Sequence, residues 1–143
     1  GLQHRNTTAG GMGRARAKTC NLFRTSSLGL SAVDVNDEAL DWAPGPGMNS
    51  LCALIVHTVG AERYWIGDVA CQEPSDRNRE TEFEVRDLAA DQLADRLDQG
   101  LVYVRKAAEN LQLANLQEIR ISPRDNREFT AGWALAHALA EMF

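Results

Sequence analysis

Two of the three histidines, His57 and His137, fall in stretches with helical hydrophobic spacing, and Glu141 follows His137 by one helical turn. Side chains at i and i+4 lie one above the other on a single helix face. An imidazole from one helix meeting an imidazole and a carboxylate from another makes a two-histidine, one-carboxylate donor set. Such a set suits zinc, nickel or iron(II) and leaves positions open for water or substrate. In it His57 is a metal ligand, His137 is a ligand or a hydrogen-bond donor that orients one, and Glu141 is a ligand or a general base. The competing reading is a core histidine satisfied by hydrogen bonds, the usual role of a lone helical imidazole near aromatic residues. His4, in a glycine-rich start, is expected to be solvated.

The elements that would position these residues are helices. "SLCALIVHTVGAERYWIGDV", Ser50 to Val69, has the length and composition of a buried helix, capped by Asn49 or Ser50 and running to about Cys71. Projected at about 100° per residue, Leu51, Ile55, Val59, Ile66 and Val69 share one side, and Leu54, His57, Ala61, Tyr64 and Asp68 the other. Glu62 projects among the first set and needs a partner, for which Arg77 or Arg79 are candidates. Pro44, Gly45, Pro46 and Gly47 stop the preceding short helix, expected from Asp34 to Trp42. A helix from about Asp87 to Leu111 carries Leu93, Leu97, Leu101, Val104, Ala108 and Leu111 at steps of four and three, the seam of a bundle. Ile119 and Ile121 alternate with polar residues before Pro123 to Asn126, which predicts a short β-hairpin. A last helix begins near Thr130, with Thr130, Trp133, Ala134, His137 and Glu141 on one stripe. A weaker pattern suggests a helix between Arg14 and Leu30. The sum is an all-α fold, a four-helix bundle in a single domain over residues 1–143, with residues 1–13 poorly ordered.

Composition narrows the function classes. The chain has 143 residues, 44% hydrophobic and 24% charged, with a formal net charge of -5. That balance lacks the basic footprint expected for nucleic acid or an acidic membrane surface, and every apolar run is too short for a membrane span. Three cysteines without a CxxC pair point to a reducing compartment, and the start of the chain lacks a secretory h-region, so a cytoplasmic location is expected. Cys52 reads as a packed side chain rather than a nucleophile. Arg77, Arg79 and Glu82 read as a loop network that clamps helix ends, or as arginines that meet an anionic substrate.

Three stretches, "WAPGPGMNSLCALIVHTVGAERYWIGDV", "PSDRNRETEF" and "SPRDNREFTAGWALAHALAE", together resemble the DinB/YfiT-like superfamily over about Leu40 to Glu141. The resemblance implies a four-helix bundle, often dimeric, holding a divalent metal through three histidines: one from the second helix and an HxxxH pair from the last. Carried over by position, His57 matches the second-helix ligand. His137 matches a histidine one turn before the pair, Glu141 stands where the first histidine of the pair does, and the second falls beyond Phe143. The resemblance implies two functions. One is a metal-dependent transferase or hydrolase, with a low-molecular-weight thiol as the candidate small-molecule substrate. The other is a non-catalytic homodimeric binding module with a degenerate metal site.

Overall fold

The computed structural model describes Cys20–Asn21 and residues 34–140. Cys20–Asn21 forms strand β1, paired antiparallel with β2, Asp34–Val35. Strand therefore replaces part of the helix expected between Arg14 and Leu30 and the start of the one expected from Asp34. The rest of that first region lies outside the described residues, as do residues 1–13 and His4.

Helix α1 is Asp37–Leu40, begun by Asn36, whose side chain accepts from the Glu38 amide at 2.9 Å. After the proline–glycine turn Ser50 caps α2, Leu51–Arg63, accepting from the Ala53 amide at 3.2 Å. Without a break the chain passes into a π-helix, Tyr64–Cys71, which ends at Gln72 in the left-handed conformation, φ 57°. In an α-helix, residues five apart point in different directions, whereas π winding aligns them. The Arg63 guanidinium reaches the Asp68 carboxylate at 2.9 Å across that interval, and Ser75 donates to the other Asp68 oxygen at 2.8 Å. The wider winding thus supplies a partner to a buried carboxylate. Arg63 also lies 4.2 Å over the Tyr103 ring, whose hydroxyl donates to Glu73 at 2.7 Å. Burial first, then that bond to Glu73, pushes the Tyr103 pKa up.

Short helix α3, Arg79–Glu82, interrupts the polar stretch that reads as loop. Helix α4 is Ala90–Asn110, followed by a 3-10 turn, Leu113–Gln117. Its inner face differs from the expected seam: Leu93 and Ala107 are buried, but Leu101 is 36% exposed. Gly100 faces α2 instead, where a methyl group would press on Val59, so the missing side chain sets the approach of the two helices. The hairpin forms where alternation places it, β3 Ile119–Ile121 against β4 Glu128–Thr130, with Arg120 opposite Phe129. Helix α5, Ala131–Ala140, lays Ala131, Ala134 and Ala138 on the π-helix, small residues that allow close packing. Ala134 belongs to this buried face rather than to the stripe of His137.

The fold is all-α with one hairpin before the last helix. Three long helices lie among the described residues, and the fourth of the expected bundle falls on the segment outside them. The core has two parts. One joins the π-helix, α5 and Ala107, and the other joins Leu40, Cys52, Val56, Ala90 and Leu93. Among the described residues no helix is long and apolar enough to cross a membrane.

Glu62 does not meet Arg77 or Arg79. It is half-buried with Oε2 beside Gly100, and burial raises its pKa above the ordinary 4.5. The folded chain therefore holds this proton more tightly than the unfolded one. The cost of the carboxylate is absent below the unfolded pKa and fully present above the folded one. Glu62→Gln is expected to raise stability at about pH 7 by a few tenths of a kcal/mol, a share of a desolvation cost discounted for solvent, and to change nothing near pH 4. Urea unfolding at the two pH values reads the difference.

Candidate functional site

His57 and His137 line the same cavity, of about 520 Å³, between α2 and α5. Helix α2 supplies His57 and Ala61, and the π-helix supplies Trp65. Arg77 and Arg79 come from the segment that enters α3, Arg124 and Arg127 from the hairpin turn, and Phe129, Trp133 and His137 from β4 and α5. Helical periodicity thus brings together the two histidines that sequence spacing singled out. The third, Glu141, lies outside the described residues.

On one wall a histidine, a glutamate and an arginine form a single unit. His57 Nδ1 stands 2.8 Å from Glu82 Oε2, and the same carboxylate takes both Nε and Nη2 of Arg77, the latter at 2.7 Å. Glu82 only accepts, and Arg77 Nη2, 3.4 Å from the same ring nitrogen, only donates; the much shorter contact to the carboxylate favours the neutral imidazole with its proton on Nδ1 and its lone pair on Nε2. The Phe83 ring packs on the imidazole with centroids 4.6 Å apart. The Glu82 and Arg77 side chains are only 8% and 10% exposed, so each is the other's essential partner. Gly60 makes room for them: a methyl group there would collide with the Glu82 carboxylate. A mid-helix glycine costs about 1 kcal/mol relative to alanine, and here it admits the carboxylate that orients the histidine.

The opposite wall is aromatic. Phe129, Trp133 and His137 stack as a column, with centroid separations of 4.5 and 4.6 Å and ring planes within 16° and 12°. Trp65 meets all three edge-on, at 5.3, 5.4 and 4.5 Å. Arg127 caps the column 5.3 Å above Phe129. The signal for this wall was present in the sequence as Phe129, Trp133 and His137 at intervals of four. Arg124 and Arg127 stand in a turn that reads as loop, and nothing in their spacing marks them as pocket residues.

Electrostatically the cavity is basic: among the described residues its lining holds four arginines and no carboxylate. A second cavity of about 210 Å³ adjoins it and shares Arg77, Arg79 and Arg124. Asp125 pairs with Arg127 at 2.7 Å and approaches Arg124 at 3.8 Å. The Ser122 hydroxyl first, then the backbone and guanidinium of Arg127, hold its carboxyl below the ordinary value. Among the described residues no three His, Cys, Asp or Glu side chains are grouped so as to hold a metal ion. Two imidazoles beside four guanidinium groups do not complete a divalent-metal site on their own, so a third donor must come from residues outside the described ones. Cys52 is buried, Cys71 is half-buried, and burial raises both thiol pKa values, which disfavours thiolates there.

A helical bundle whose long helices hold a histidine-bearing pocket, lined in part by a hairpin, defines a class of all-α scaffolds with a site between helices. Residues 24–142 match the family model of the DinB superfamily, and the chain belongs to that superfamily. No curated protein and no solved structure matches it.

Proposed function

We propose that the pocket between His57 and His137 is the reaction centre of a small-molecule enzyme in which His57, oriented by Glu82, acts as general base. The Nδ1 contact of 2.8 Å to a buried carboxylate, inside a cavity of ligand size, carries this reading. Held that way, the imidazole has Nε2 as its proton acceptor, and Glu82 stabilises the imidazolium that forms. The nucleophile in this reading is a low-molecular-weight thiol or water. A thiol gives its proton to Nε2, its sulfur bonds to an electrophilic carbon, and the leaving group departs with the bonding pair. The imidazolium then returns its proton to solvent or to the leaving group.

A second reading is favoured by the same contact, because metal-bound histidines usually donate their other ring nitrogen to a carboxylate. In it His57, His137 and Glu141 hold a divalent metal, whose role when bound is to acidify a thiol or water.

The test is thiol transfer from cysteine to a chromogenic dinitrophenyl electrophile, with metal content measured in protein purified without chelator. His57→Ala is expected to lower kcat by about 10²–10⁴-fold, the usual contribution of general base catalysis. Turnover unchanged in that variant, with its circular dichroism intact, would sink the enzyme reading. Near-stoichiometric zinc, nickel or iron that disappears with His57 would support the second reading over the first.

A further inference from the structure

We infer that the ligand of this pocket is a small organic anion with an apolar body, its charge held by the arginines of the hairpin turn and α3 and its body packed against the edges of the Trp133–Phe129 column. The inference rests on the reading of this pocket as the functional site. Its first support is charge in excess of structural need. Glu82 takes up Arg77, and Asp125 is shared by Arg124 and Arg127. Arg79 lies 5.0 Å over the Phe83 ring and has no carboxylate partner among the described residues. The adjoining cavity adds Asp76 and Asp68, but Asp68 is taken up by Arg63 at 2.9 Å, so among the described residues three carboxylates, Glu82, Asp125 and Asp76, face four guanidinium groups. Four arginines gathered around one cavity repel one another, so an unliganded pocket carries an electrostatic cost that a bound anion removes.

The second support is geometry. The guanidinium groups arrive from two separate segments, the entry to α3 and the hairpin turn, and both segments open onto the aromatic column. Guanidinium forks pair with carboxylate or phosphate through two parallel hydrogen bonds. The stacking of Trp133 between Phe129 and His137 leaves ring edges, rather than faces, on the cavity, and these suit an apolar body packed against them. Within the protein Asp125 already occupies the place of such an anion at the turn, at 2.7 Å from Arg127 Nε. An incoming ligand must displace it, so Asp125 acts as a built-in competitor.

Isothermal titration calorimetry of the full chain with phenyl phosphate, inorganic phosphate and benzyl alcohol tests this. Phenyl phosphate is expected to bind with a Kd of about 0.1–1 mM, inorganic phosphate about tenfold more weakly, and benzyl alcohol not at all. Arg124→Ala with Arg127→Ala, both in an exposed turn outside the core, should weaken phenyl phosphate by about tenfold or more. Asp125→Asn should strengthen it by about threefold to tenfold, because the competitor loses its charge. Trp133→Leu should reduce phenyl phosphate to the level of inorganic phosphate. Lack of saturation by phenyl phosphate up to about 10 mM, or affinities unmoved by both the arginine and the Asp125 changes, overturns the inference. Binding that persists in His57→Ala while turnover is absent in both proteins would keep the anion site and discard the catalytic reading.

Discussion

Glu82→Ala is expected to unfold at a temperature about 10 °C lower than the parent chain, a loss of about 3 kcal/mol. The carboxylate accepts from His57 Nδ1 and from two nitrogens of Arg77. Its removal leaves a guanidinium that is only 10% exposed with no counter-charge. Desolvation, rather than the lost attraction, sets the size of the effect, because the arginine can neither shed its proton nor reach bulk water. A control follows from the same physics. Replacing the pair together, Glu82→Leu with Arg77→Met, removes both charges and keeps volume, so it should recover most of the loss. Thermal unfolding of the three proteins decides the point: a double variant no better than the single one would mean that the pair acts through geometry and not through charge burial. Turnover should fall in both, since His57 loses its orienting carboxylate in either case.

Trp65→Ala should cost about 3 kcal/mol, near the lower end for a buried aromatic because one side of the indole borders the pocket. This indole packs edge-on against Tyr64, Phe129, Trp133 and His137 and joins the π-helix to α5 and the hairpin. Truncation opens a void at that junction, which small residues such as Ala131 and Ala134 cannot fill from the other side. Trp65→Phe keeps most of the contact and should lose about 1 kcal/mol. Urea unfolding reads both, and equal losses for the two would show that the site collapses around the smaller residue. A domain of this size has about 5–15 kcal/mol in hand, so the alanine variant remains folded but visibly weakened.

Sequence periodicity carried the site as far as its two histidines, because α2 and α5 are regular around His57 and His137 and a period of 3.6 places a side chain on a face. It also located the Ser50 cap and the hairpin, whose signals are local. It failed where the winding changes. Projecting Ser50 to Cys71 at a single α-helical phase put Ile66 and Val69 in line with Leu51, whereas the π turn starting at Tyr64 shifts everything beyond it, and Tyr64 to Ala70 are all buried. No residue type announces that change. The network of Arg77 with Glu82 was legible in the loop, but the pairing of Glu62 with Arg77 or Arg79 was not met: Gly60 opens the space that brings Glu82 to Arg77, and that shows only in three dimensions. The arginines of the hairpin turn belong to the pocket for the same reason, since nothing local to a turn says which cavity it overhangs.

The stacked column has an optical consequence. Trp65 and Trp133 hold their indoles 5.4 Å apart at an interplanar angle of 73°. Two identical chromophores that close and non-parallel share their excited states, which gives a paired positive and negative band in ultraviolet circular dichroism. The third tryptophan, Trp42, is 66% exposed, so it contributes emission typical of water. His137 lies against both members of the pair, and an imidazolium is a far better quencher of indole light than an imidazole. The pocket wall therefore carries its own reporter in Trp65, buried and in contact with His137, whose blue-shifted, quenchable emission stands apart from the redder light of the exposed Trp42 and Trp133.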